Sequence, residues 1–120
     1  MPERRRVLIV DDDRNLTNLV STLLRSYGFE VVSAADGESA LATLDSLAID
    51  AVILDLRMPG MDGRTVFKEM RARGHTTPVL IASAFGARPA QQELGAEGSI
   101  EKPFDPEALA DAVLELIDSA

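Results

Sequence analysis

Two apolar runs, Val7-Leu8-Ile9-Val10 and Ala51-Val52-Ile53-Leu54, end abruptly in carboxylates, the first in Asp11-Asp12-Asp13 and the second in Asp55. Continuous runs of this length, rich in branched residues, suit strands buried on both faces of a parallel sheet. Val79-Leu80-Ile81-Ala82-Ser83 is a third such run, while Glu30-Val31-Val32-Ser33-Ala34 and Gly98 to Glu101 are shorter candidate strands. Between the strands the period becomes helical. Leu16, Leu19, Val20, Leu23, Leu24 and Tyr27 recur along one predicted helix face, and Gly28 follows as a stop signal. Asp36 is placed to cap a second helix that carries Leu41 and Leu44 inward. After the turn Met58-Pro59-Gly60-Met61-Asp62-Gly63, a third helix buries Val66, Phe67 and Met70. Gly86 and Pro89 leave room for only a short fourth helix between Phe85 and Leu94. Asp105-Pro106-Glu107 opens a fifth, with proline at its first position and Leu109, Val113, Leu116 and Ile117 as its buried stripe.

Strands alternating with helices predict an α/β fold with right-handed crossovers and helices on both faces of a parallel sheet. In such sheets the ligand crevice opens at the carboxyl ends of the strands. Asp11, Asp12 and Asp55 are therefore expected on one rim.

Composition narrows the function. At 120 residues with 46% hydrophobic content, the chain is expected to form a single domain over 1–120 that buries roughly two thirds of its unfolded surface. No repeat, linker or low-complexity segment interrupts it. Twenty acidic against twelve basic residues give a net charge of -8, which argues against nucleic-acid binding by this domain. There is no cysteine, so disulfides, thiolate zinc sites and cysteine nucleophiles are excluded. Only four apolar residues follow Arg4-Arg5-Arg6 before the aspartates, far short of a signal peptide's apolar region. No run reaches membrane-spanning length, and a cytoplasmic location is expected.

Crowded carboxylates at Asp11, Asp12 and Asp55 demand a proton or a cation, since two unit charges about 4 Å apart at an effective dielectric near 20 repel by roughly 4 kcal/mol. Oxygen-only ligation that leaves places for water and phosphate favours Mg²⁺ over Ca²⁺. An EF-hand loop starting at Asp11 fails, because Leu16 stands where glycine is needed and Thr22 where glutamate is needed. Lys102 and Ser83 end the fifth and fourth predicted strands, so an ammonium and a hydroxyl face the same rim. With the metal they can neutralise a phosphoryl group carried on Asp55, and the small Ala84 leaves space beside it.

Val10-Asp11-Asp12, Leu54-Asp55, Met58 to Gly63, Ser83-Ala84 and Lys102-Pro103-Phe104 together resemble the response-regulator receiver domain of two-component signalling. The match covers nearly the whole chain, with its motifs in order. The resemblance implies a flavodoxin-like five-stranded sheet of order 2-1-3-4-5; a chemotaxis receiver is itself a standard example of that order. It implies a regulatory phosphoacceptor, not an enzyme, whose Asp55 takes a phosphoryl group from a histidine kinase or a histidine phosphotransfer protein and whose change of shape controls a downstream target or output domain. It further implies that Asp12, Asp55 and the Arg57 backbone carbonyl bind Mg²⁺ (or Mn²⁺) directly, with Asp11 assisting through water. Ser83 and Lys102 would bind phosphoryl oxygens, and Lys102-Pro103 would be a cis peptide.

The chain departs from the family pattern at three places. Ser99 stands three residues before Lys102, where receivers commonly carry Tyr or Phe, so activation is expected to run through Ser83 and the loop after it. The interval from Ser83 to Lys102 is about one helical turn shorter than usual, which predicts a shortened fourth helix and an altered output face. Arg57 and Phe85 occupy the positions that tune access of the hydrolytic water, and neither can orient that water.

Each residue also has a plainer reading. Asp13 is a candidate helix cap, Pro59-Gly60 alone is a turn, and His75 reads as an exposed loop histidine. Two other functions compete. A haloacid-dehalogenase-like phosphatase also uses a strand-end aspartate, but its Asp-x-Asp pattern is replaced here by Asp55-Leu56-Arg57. A degenerate receiver acting only as a docking module is opposed by the presence of every phosphorylation residue.

Overall fold

The structure, a computed structural model, describes residues 5–119, Ser119 by its backbone alone, so Arg4 of the basic triplet lies outside the described residues. Five strands, β1 (Arg6–Val10), β2 (Glu30–Ala34), β3 (Ala51–Asp55), β4 (Val79–Ser83) and β5 (Gly98–Glu101), alternate with α1 (Arg14–Ser26), α2 (Gly37–Ser46), α3 (Gly63–Ala72), α4 (Ala87–Leu94) and α5 (Pro106–Ser119). The strands form one parallel sheet in the order β2-β1-β3-β4-β5, the expected flavodoxin-like arrangement. The fourth helix is short, at 8 residues.

Side chains alternate across each strand, and here both faces are covered. Leu8, Val10, Val52, Leu54, Val79 and Ile81 pack under α2, α3 and α4 with Leu41, Val66, Phe67 and Met70. Val7, Ile9, Ile53, Leu80 and Ala82 pack under α1 and α5 with Val20, Leu24, Leu109 and Val113. Two dry faces explain why the central strands read as unbroken apolar runs.

The α1 stripe needs correction. Thr17, Val20, Ser21 and Leu24 are its buried residues, whereas Leu19 and Tyr27 are 55% and 45% exposed. Two small polar residues, Thr17 and Ser21, take buried positions on the helix, so a count of apolar positions alone rotates the predicted face outward. His75 is also corrected. It is half-buried, its Nε2 lies 2.8 Å from Asp45 Oδ1, and Arg71 donates to its backbone carbonyl.

Capping follows the expectations at Asp13 and Asp36, whose carboxylates accept from Leu16 N and Ser39 N. Asp62 does the same for α3, accepting from Thr65 N at 2.9 Å. This cap was not anticipated, although an aspartate just ahead of an apolar-periodic helix is a readable signal.

Candidate functional site

Strand register explains why distant acidic residues meet. Val10 is level with Leu54 in the β1–β3 ladder, so the next residues, Asp11 and Asp55, leave the sheet side by side. Asp12 follows from the same strand end. The three carboxylates offer oxygens that all lie within 4.8 Å of one another.

Their environments differ. Asp11 and Asp55 are 8% and 6% exposed, while Asp12 faces solvent. Burial pushes the Asp55 carboxyl above the ordinary carboxylate range, the nearby Lys102 ammonium opposes that, and the Asp11 charge adds to it. A partly desolvated, acid-only cluster fits a small hard cation with room for water and phosphate. Asp55, Asp12 and Asp11 are the side chains that can hold it.

Lys102 lies one residue beyond β5, which closes at Glu101, and so does not end the strand as expected. Its Nζ is 2.7 Å from Asp11 Oδ2 and 3.7 Å from Asp55 Oδ1. Its backbone N–H donates to the Ser83 carbonyl, which ties the β5 exit to the end of β4. The Lys102-Pro103 peptide is cis.

Ser83 is 1% exposed, and its hydroxyl is turned to the following loop, donating to the Phe85 carbonyl at 3.0 Å. Ala84 is exposed and borders a shallow depression with Leu16, Lys102, Pro103 and Phe104. The Arg57 backbone N–H donates to Asp55 Oδ1 at 3.3 Å, and the Arg57 guanidinium sits 5.6 Å from the centre of the Phe85 ring. That pair borders a cleft of about 610 Å³ beside the acidic cluster, with Met58, Pro59, Arg64 and Ser83 on its walls.

Two features of the site were not read from sequence. A Cβ on Gly63 would stand 2.2 Å from the Asp55 carbonyl oxygen and 2.8 Å from Leu56 Cα, so glycine is required where α3 begins against the end of β3. Arg64 reaches from α3 to Glu93 of α4 at 2.7 Å, bridging the cleft's outer edge.

The chain matches the family model described as the response regulator receiver domain over residues 7–114. It is similar to the transcriptional regulatory protein CpxR of Klebsiella pneumoniae, 44% identical over 107 residues that cover 87% of this chain and 45% of that protein. The chain thus spans about half the length of the curated relatives it matches. Among solved structures it resembles the receiver domain of Francisella response regulator 1452, with a TM-score of 0.89, 28% identity and coverage of 97% of this chain and 98% of that one. It also resembles the response regulator TrrA of Thermotoga maritima in complex with Mg²⁺-BeF, with a TM-score of 0.84, 32% identity and coverage of 93% and 98%.

Proposed function

The chain belongs to the response regulator receiver family of two-component signalling, and from that membership we propose that Asp55 is its phosphoacceptor. The observation that carries this reading is a strand-end carboxylate, 6% exposed, set against Asp11 and Asp12 and 3.7 Å from the Lys102 ammonium. In the proposed transfer an Asp55 carboxylate oxygen attacks phosphorus, the bond from phosphorus to the donor's imidazole nitrogen breaks, and the acyl phosphate forms. A bound Mg²⁺ would supply charge neutralisation between the carboxylates and the incoming phosphoryl oxygens.

The remaining work falls to the chain's own groups. Lys102 moves from Asp11 toward the phosphoryl oxygens, and the Ser83 hydroxyl leaves the Phe85 carbonyl to donate to one of them. Asp55, Asp12 and the Arg57 carbonyl would hold the ion directly, and Asp11 would assist through water. That a resembling receiver, TrrA, was obtained with Mg²⁺-BeF supports Mg²⁺ as the ion. The phosphodonor is proposed to be a histidine kinase or histidine phosphotransfer protein. The longer relative named a transcriptional regulatory protein supports a downstream output controlled by this domain, which we read as one receiver unit over 1–120. Among the described residues no helix is long and apolar enough to cross a membrane, and a cytoplasmic setting is proposed. The phosphatase reading loses its ground, because the matched family is regulatory.

Incubation with phosphoramidate and Mg²⁺, followed by intact mass measurement, is expected to add one phosphate to the wild type and none to Asp55→Asn. Undiminished labelling of Asp55→Asn overturns the assignment.

A further inference from the structure

Gly37 opens α2, and the turn that follows β3 closes on it. A Cβ on Gly37 would stand 2.7 Å from Val66 Cγ2, 2.9 Å from Met61 Sδ and 3.0 Å from Met61 Cβ. No larger residue fits there without displacing these groups, so the Met61 thioether rests directly on the first residue of α2.

Met61 is also the open methionine. The chain has four, of which Met58, Met61 and Met70 lie among the described residues. Met70 is 0% exposed and Met58, which borders the larger cleft, is 9% exposed. Met61 is partly exposed and lines a depression of about 280 Å³ with Asp36, Glu38, Pro59 and Gly60. The acidic rim of that depression repels anionic reagents but not a neutral peroxide.

The sulfur sits in the connection that serves the acidic cluster. β3 ends at Asp55, Met61 lies in the turn, and α3 begins at Gly63, whose N–H donates to the Leu56 carbonyl at 3.0 Å. Oxidation turns a flexible apolar side chain into a polar one by adding an oxygen to its sulfur. Burying that oxygen without a hydrogen-bond donor is costly. The contact with Gly37 has no space for one more atom, so the oxidised side chain must turn out into the depression, and the turn then loses its packing on α2.

We propose that Met61 is a peroxide-sensitive modification site whose conversion to the sulfoxide releases the β3–α3 turn from α2. In this step a lone pair on the Met61 sulfur attacks one peroxide oxygen, the S–O bond forms and the O–O bond breaks. The hydroxide released takes the proton from the new S–OH group and leaves as water. The sulfur is oxidised and the peroxide reduced by one electron pair. A thiol-dependent methionine sulfoxide reductase reverses the change. The site does not depend on the chemistry at Asp55, and its test uses neither Mg²⁺ nor phosphodonor.

Wild-type protein in EDTA is treated with dilute hydrogen peroxide and sampled over time by peptide mass mapping. Met61 is expected to gain one oxygen on the order of tenfold faster than Met58 or Met70, since reactivity follows exposure. Amide NMR shifts are expected at Gly37, Ser39 and Gly63 with the helical circular dichroism signal retained, and the reductase with a dithiol should return both mass and spectrum. Met61→Leu keeps a similar apolar volume and should show none of these shifts under the same treatment. Oxidation of Met58 or Met70 as fast as Met61 overturns the proposal. So does an oxidised Met61 that leaves the Gly37 and Ser39 amides unmoved, or the appearance of the same shifts in Met61→Leu.

Discussion

Lys102 Nζ lies 2.7 Å from Asp11 Oδ2 and 3.7 Å from Asp55 Oδ1, so one ammonium stands between two nearly buried carboxylates. Lys102 side-chain exposure is only 20%, and screening by water is weak. Lys102→Ala leaves Asp11 and Asp55 without their cation. Stability in the absence of added metal is expected to fall by about 3 kcal/mol, the low end for breaking a buried pair. Added Mg²⁺ should restore most of that loss, because it supplies positive charge to the same oxygens. Urea unfolding in EDTA and in Mg²⁺ measures both, and an unchanged metal-free stability would contradict the pairing.

Asp12 is exposed yet stands within the carboxylate cluster, which suits it to metal binding and leaves it little structural work. Asp12→Ala is therefore expected to weaken Mg²⁺ by on the order of tenfold or more, about 1.4 kcal/mol, with little effect on metal-free stability. Asp11→Asn should lower affinity less if Asp11 acts through water. Calorimetric titration of both variants decides the order, and a Mg²⁺ affinity unchanged in Asp12→Ala would refute the inner-shell role.

Asp62 carries the pH prediction. The Thr65 backbone N–H holds its carboxyl below the ordinary range, so its cap contribution is fully present above the unfolded value near 3.9 and is lost as pH falls through the lower folded value. Asp62→Ala should cost about 1 kcal/mol at neutral pH, and the gap to wild type should close below about pH 4. Asp62→Asn, which keeps an oxygen acceptor but not the charge, should lose the charge-dependent part of that contribution at neutral pH and show no gain or loss relative to Asp62→Ala as pH falls. A gap that stays constant down to acid pH in thermal melts would show that the cap charge is not responsible.

Phe85 is 72% exposed and lies under the Arg57 guanidinium, and both line the cleft that Leu56 and Ser83 also border. On the proposed function, a pair of this kind, worth roughly 0.5–1 kcal/mol at an exposed site, shields an aspartyl phosphate at Asp55 but has no group that can orient an attacking water. The aspartyl phosphate should be long-lived for a receiver. Phe85→Glu both removes the ring and places a carboxylate where water must approach, so decay is expected to speed up by several-fold, about 1 kcal/mol in barrier. Decay followed by intact mass after removal of donor tests this, and an unchanged or slower loss counts against shielding.

Much of the molecule was legible in the chain because its determinants are local. Three apolar runs and two shorter candidate strands, the Gly28 stop, the Asp36 cap and the Pro106 start each reflect backbone chemistry within a few residues. Asp55, Asp11, Asp12, Ser83 and Lys102 were found because strand-end residues of a parallel sheet share a rim whatever the details of packing. The face of α1 was misjudged for the opposite reason. Whether Thr17 or Leu19 faces inward depends on how α1 packs against the rest of the fold, which is not a local property of the sequence. His75 likewise looked exposed until α2 brought Asp45 to its ring.

By itself, then, the sequence determined the elements, their alternation, the acidic rim and the chemistry that rim can support, since periodicity, capping and residue type act over short range. Tertiary structure alone decided that Lys102 rests on Asp11, that Ser83 is turned to the Phe85 carbonyl, that Gly63 must be bare against Asp55, and that Met61 rests against Gly37. Each of these depends on the distance between groups on separate elements, and that distance is set by how the two faces of the sheet are packed.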